Sequence, residues 1–260
     1  MVSSIASLRE HLKTPDPLSR PEWMELNLPV ADVTKWASTD NRFATNDGRF
    51  AYMGRVQYQE LRKLISQLIA AREWSSSEDT RSYDTVKSPT FYKETVSNIL
   101  VVGPVGTGKS HVLAAAASDF TEEFHRRHVL GNRRKRVVCI MDCEQLLRDR
   151  AFVVLRDALL VAFGDDNQAL LRLANCETLE ELSQFCEDTE DTLLWLMDQW
   201  QSVDADPALK SMLFNITTNH GLVRATNSSS EMVEKAFHST HPPAKLFLWD
   251  EGLGVNSQPL

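Results

Sequence analysis

The spacing of apolar and polar positions changes along this chain in a way that predicts a strand, a helix, a strand and so on in alternation. Asn98-Ile99-Leu100-Val101-Val102 is a short unbroken apolar run, rich in β-branched residues, and predicts a buried strand. The Ala-rich stretch that follows predicts a helix from about Lys109 to His128. Further strands are expected at Arg136–Met141, at Thr192–Met197 ending on Asp198, at Gly221–Thr226 ending on Asn227, and at Lys245–Trp249. Between them, helices are expected over Glu144–Phe163, Asn167–Cys186, Pro207–Asn219 and Glu231–Phe237. Such alternation implies an α/β fold with a parallel sheet, right-handed crossovers and helices on its flanks. Upstream, Val56–Trp74 reads as an amphipathic helix with Leu61, Leu64, Ile65, Leu68 and Ile69 on one stripe. Residues 1–55 read as irregular, because Pro15, Pro17, Pro21 and Pro29 forbid a long helix there. Trp23, Trp36, Phe43, Phe50 and Tyr52 are too many large aromatics for a disordered tail, so this part is expected to cap the main domain. The polar stretch 75–89 reads as a linker, dividing the chain into an N-terminal extension, 1–89, and a main domain, 90–260.

The link between the first predicted strand and helix of that domain is Gly103-Pro104-Val105-Gly106-Thr107-Gly108-Lys109-Ser110, followed by His111. It fits the phosphate-binding pattern G-x-x-x-x-G-K-[ST] at every fixed position. Strand, glycine loop and helix start in that order aim several backbone N–H groups, and the positive end of a helix dipole, at one point. Glycines allow positive φ and close approach of the backbone to phosphate oxygens. Lys109 is expected to reach the β- and γ-phosphates, and the Ser110 hydroxyl to ligate Mg²⁺. The expected ligand is a nucleoside triphosphate with its magnesium ion. No N-K-x-D guanine-reading motif occurs, so ATP is the better guess than GTP.

Folds of this kind complete the metal site with a carboxylate at the end of an apolar strand beside the phosphate-loop strand. Asp198, followed by Gln199, and Asp250, followed by Glu251, both qualify, and Asp198 is favoured because the metal carboxylate normally precedes the last strands. Gln199 can orient a water but is not a base, whereas Glu251 could polarise one. Asn227 ends a strand on the ligand-facing edge and can either touch the γ-phosphate or begin a turn. Asp142 sits on the same edge, with helix capping ahead of Cys143-Glu144-Gln145 as its expected role.

Composition narrows the picture further. The 260 residues are 42% hydrophobic, enough for a sizeable core. No apolar run approaches the ~20 residues of a membrane span, and the N-terminus has no continuous hydrophobic stretch of the secretory kind. An intracellular location follows as the expectation. The net charge of −8 argues against a broad grip on nucleic acid. Arg133, Arg134, Lys135 and Arg136, with Arg126 and Arg127 upstream, form the single dense basic patch, expected to be a solvated loop, with a phosphate-backbone contact as the sharper alternative. Cys139, Cys143, Cys176 and Cys186 lack CxxC spacing and read as buried free thiols.

The stretch Arg136-Val137-Val138-Cys139-Ile140-Met141-Asp142-Cys143-Glu144-Gln145-Leu146-Leu147, continuing to Leu155-Arg156-Asp157-Ala158-Leu159-Leu160-Val161-Ala162-Phe163, resembles the nucleotidase domain of Crinkler-type proteins of fungi and oomycetes. Gly108-Lys109-Ser110-His111 matches the end of that family's phosphate loop, while Val105-Gly106-Thr107 differs from its middle. Met197-Asp198-Gln199 looks like the family's "VDQ" segment, and Ala225-Thr226-Asn227 is similar to its strand end. The resemblance spans roughly residues 98–230. It implies an AAA- or STAND-like P-loop NTPase module, supports Asp198 over Asp250 as the metal carboxylate, and implies an effector delivered by a non-classical route into a host cell, commonly its nucleus. Two functions stay open: an Mg²⁺-dependent hydrolase, or a nucleotide-binding switch that turns over little and acts through a protein partner or a homo-oligomer. A nucleotide kinase is disfavoured, because residues 144–190 are acidic where an arginine-rich lid would be needed.

Overall fold

The computed structural model describes residues 17–19, 23–27, 49–76, 98–127, 134–147, 150–227 and 244–248. Its centre is a five-stranded parallel sheet of β3 (Ile99–Gly103), β4 (Lys135–Ile140), β5 (Thr192–Met197), β6 (Gly221–Asn227) and β7 (Ala244–Phe247). The strands lie in the order β4-β5-β6-β3-β7. β4, β5 and β6 are consecutive both in sequence and in the sheet, whereas β3 is inserted between β6 and β7, and every parallel neighbour is reached by a crossover connection.

β4, β5 and β6 carry buried apolar side chains on both faces, and the two-residue side-chain period sorts them into two cores. Val101, Leu194, Leu196, Val223 and Ala225 pack with α1 (Gln57–Ser76) and α2 (Lys109–Arg127). Leu193, Trp195, Met197 and Leu222 face the other way, toward α3 (Ala151–Ala162), α5 (Leu179–Asp188) and α7 (Pro207–Thr217). A four-residue helix, α6 (Gln201–Asp204), leads into α7. This three-layer α/β arrangement, with a phosphate loop between β3 and α2, is the P-loop NTPase fold that the alternating pattern implied. Among the described residues, no helix is long and apolar enough to cross a membrane.

Two expected helices are each broken. Glu144–Phe163 is a 3₁₀ turn at Cys143–Leu146 and then α3. Asn167–Cys186 is α4 (Asn167–Ala174) and then α5, because Thr178 and Glu181 form a reciprocal capping box that starts a new helix. The expected helix at 231–237 lies outside the described residues.

The N-terminal part departs from the irregular stretch expected of residues 1–55. Trp23–Asn27 (β1) and Arg49–Met53 (β2) form an antiparallel pair, with Leu26 opposite Phe50 and Met24 opposite Tyr52. Leu26, Phe50 and Tyr52 are buried in the same core as α1, α2 and one face of the sheet. A polar clamp reinforces that packing. The Tyr58 hydroxyl of α1 donates to Asp119 Oδ2 of α2 at 2.8 Å, and Arg62 Nε donates to the same oxygen at 2.9 Å. Asp119 is fully buried, and these donors help replace the water that its carboxylate gives up. Tyr58→Phe removes one hydrogen bond to a charged group and is expected to cost about 1–2 kcal/mol in urea unfolding, with an unchanged slope. The boundary expected near residue 89 lies outside the described residues.

Within the basic run, Lys135 and Arg136 belong to β4 rather than to a solvated loop. Arg136 is buried, bonded to Asp165 and Asp191, donates to the Ala162 carbonyl at 2.9 Å, and stacks 4.3 Å above the Phe163 ring. Those two acids hold the guanidinium above its ordinary pKa against the burial that would lower it. Arg134 lies 3.6 Å from Asp166. Acids remote in sequence thus neutralise Arg134 and Arg136, which tie the start of β4 to the segment just after α3. Arg133 lies outside the described residues. All four cysteines are buried and free, as expected of thiols without metal spacing.

Candidate functional site

The residues expected to carry chemistry lie at the C-terminal edge of the sheet. β3 ends on Gly103, where a Cβ would stand 2.6 Å from the Leu248 carbonyl oxygen and 2.7 Å from Thr107 Oγ1. Only glycine lets the loop leave the sheet beside β7. The Thr107 hydroxyl donates to the Pro104 carbonyl at 2.9 Å and closes the loop on itself. Gly106 and Gly108 hold φ of +88° and +78°, in the left-handed region that glycine tolerates. Val105 stands exposed at the tip.

α2 starts at Lys109, with no acidic residue in its first turn to cancel the positive end of the helix. Ser110 and His111 follow, both half-buried, and the His111 ring meets Phe50 of β2 edge-on at 6.4 Å between centroids. Lys109 Nζ donates to the Gly103 and Pro104 carbonyls, at 2.7 Å each. Burial pushes its pKa below the ordinary lysine value, and the nearby Asp198 carboxylate opposes that shift. Lys109 and Asp198, 89 positions apart, therefore share one electrostatic environment.

Asp198 follows β5 and is buried. Its backbone is tied to the end of β4, donating to the Ile140 carbonyl at 2.9 Å and accepting from the Cys143 N–H at 3.1 Å. Its Oδ1 accepts the Gln199 N–H at 2.8 Å. Gln199 is the single non-glycine residue with positive φ among the described residues, at 56°. Strain of that kind, next to a buried carboxylate, persists only where the surroundings enforce it. The Gln199 side chain donates to Asp142 Oδ1 at 3.0 Å, and that oxygen also caps the 3₁₀ turn through the Glu144 N–H. Asp142 thus has its expected capping role, and one N–H of the Gln199 amide is committed to it.

Asn227 ends β6 in register with Gly103, so it borders the first residue of the loop. β6 separates β3 from β5, which corrects the expectation that the Asp198 strand lies directly beside the phosphate-loop strand. The strand on the other side of β3 is β7, and Asp250 and Glu251 beyond it lie outside the described residues. Arg224, inside β6, serves the core. It lies 5.0 Å from the Trp200 ring and 5.1 Å from the Phe214 ring, donates to Asn98 Oδ1 at 2.9 Å, and burial pulls its pKa down to about 10.

One residue at the site carries no signal in the sequence. Arg55, at the junction of β2 and α1, donates from Nη1 to the Thr107 carbonyl at 2.8 Å. No spacing or motif marks it, because the loop it touches begins 48 positions later.

The donor set suits magnesium: a serine hydroxyl and a buried carboxylate on one edge, which phosphate oxygens and water would complete. Among the described residues, no group of three or more His, Cys, Asp or Glu side chains forms a metal cage, and a P-loop magnesium site does not need one.

No protein-family model matches this chain, and neither does any curated protein. Among solved structures, it is similar to the Aeropyrum pernix ORC1 protein in complex with DNA, at 19% identity and a TM-score of 0.45, covering 74% of this chain and 45% of that one. It is also similar to C. elegans PCH-2, at 14% identity and a TM-score of 0.42 over 89% of this chain and 49% of that one. Drosophila ORC bound to DNA matches at 18% identity and a TM-score of 0.38, over 74% and 45% respectively. The chain spans less than half the length of each.

Proposed function

We propose that this protein binds ATP with Mg²⁺ at the β3–α2 loop and hydrolyses it slowly. The observation that carries the reading is the Asp198 carboxylate within the field of Lys109, whose neighbour Ser110 lies in the first turn of α2, after a loop whose Gly106 and Gly108 hold positive φ. The loop N–H groups and Lys109 would hold the phosphates, while Ser110 and Asp198 would hold the metal, directly or through water. Bound magnesium would neutralise charge developing on the phosphates. Asn227, in register with Gly103, is placed to contact the terminal phosphate or a water beside it.

Slow turnover has its own support. Gln199 is not a base and one of its two amide N–H groups is engaged by Asp142, while Arg136 is held by Asp165 and Asp191. These features also favour the second reading, a switch whose bound nucleotide governs association with a protein partner or another copy. The Crinkler resemblance extends the proposal to an effector module working inside a host cell, with the nucleus as its destination. Titration of the full chain with ATP, ADP and GTP, with and without Mg²⁺, tests the binding. Steady-state hydrolysis is expected below ~1 s⁻¹, at the low end of enzyme rates. Fast turnover that does not depend on protein concentration would overturn the slow-hydrolase reading.

A further inference from the structure

The contact between Arg55 and the phosphate loop is more than a packing detail. The backbone of Arg55 is fixed on both sides: its N–H donates to the Leu18 carbonyl and its carbonyl accepts the Tyr58 N–H, both at 2.9 Å. From that anchored position the guanidinium lies against Gly108. A Cβ on Gly108 would stand 2.7 Å from Arg55 Nη2 and 2.9 Å from Cζ. The φ of +78° requires glycine at 108, and any side chain there would have to displace the Arg55 guanidinium. Gly108 immediately precedes Lys109, so a second full positive charge lies beside the peptide units expected to cradle phosphate. Among the described residues, the Thr107 carbonyl is its hydrogen-bond acceptor and no carboxylate pairs with it. A guanidinium carries five N–H donors in a planar fork that matches phosphate oxygens, which leaves most of them for a ligand.

We propose that Arg55 is a phosphate ligand of this site, a cation supplied by the N-terminal segment of the same chain, which favours triphosphate over diphosphate. The inference rests on the nucleotide-binding reading above and adds to it a residue outside the loop. Lysine and arginine would act differently here: Lys109 as a compact charge held on the loop carbonyls, Arg55 as a fork approaching from beside Gly108. Because Arg55 is rooted next to α1, the same contact would tell the β1–β2 hairpin which nucleotide is bound.

The test is calorimetric titration of the full chain with ATP and with ADP, both with Mg²⁺, comparing wild type with Arg55→Gln, Arg55→Ala and Arg55→Lys. Glutamine keeps a donor for the Thr107 carbonyl but loses the charge, so it separates phosphate recognition from support of the loop. The ratio of ATP to ADP affinity is expected to fall about tenfold in both Arg55→Gln and Arg55→Ala, and to recover in part in Arg55→Lys. An unchanged ratio in Arg55→Gln, whether both affinities fall together or neither moves, would overturn the proposal and leave Arg55 a support for the loop. A wild-type chain that binds neither nucleotide would instead sink the nucleotide reading, and the Arg55 assignment with it.

Discussion

Lys109→Ala is expected to weaken ATP binding by at least ~2 kcal/mol, about thirtyfold in affinity, while leaving the fold in place. Lys109 is the buried cation nearest the loop carbonyls, and it already gives up part of its hydration to be there. The protein tolerates that cost because Asp198 and the two carbonyls compensate for it. A triphosphate offers a stronger partner, since a bond between two charged groups is roughly twice as strong as one between neutral groups. Alanine removes the charge together with the donors, and no other lysine side chain among the described residues lies within the loop. The melting temperature of the variant without ligand is expected to stay close to that of wild type, so the loss reads as recognition rather than unfolding. Equal ATP affinity of wild type and Lys109→Ala would remove the phosphate-loop reading altogether.

Asp198→Asn is expected to abolish the dependence of ATP binding on Mg²⁺. Asparagine retains an oxygen that can accept the Gln199 N–H, so the strained turn at φ 56° keeps its support. What it removes is the negative charge, and a hard dication on this edge has few other charged ligands. The same change takes away the carboxylate that opposes the lowering of the Lys109 pKa, so the lysine would lose its proton at a still lower pH. Asp250→Ala is expected to change little. Should Mg²⁺ strengthen ATP binding to Asp198→Asn as it does in wild type, and Asp250→Ala prove the damaging variant, the metal carboxylate belongs after β7, on the strand paired directly with β3.

Much of this site is legible in the sequence. The phosphate loop is a contiguous pattern, and Asp198 and Asn227 announce themselves as polar residues closing apolar runs. Asp166, whose side chain caps α4 by accepting the Gln168 and Ala169 N–H groups, and the Thr178–Glu181 box also carry local signals, though strong helical periodicity on either side masks the breaks between helices. The β1–β2 pair is not legible, because it joins residues 23–27 to 49–53, and neither five-residue piece alone differs from loop. The basic run misleads for a related reason. Arg134 and Arg136 look solvated until Asp165, Asp166 and Asp191 are brought up from elsewhere in the chain.

The chain by itself determined the elements and the loop, because hydrophobic period, helix caps and glycine dihedrals act over a few residues. The tertiary structure decided which distant groups meet: β6 between β3 and β5, Asp198 within the field of Lys109, and Arg55 against Gly108. Those meetings depend on the order of strands in the sheet and on the packing of α1 across it. Burial rewards both over the whole molecule, so no short stretch of sequence encodes them.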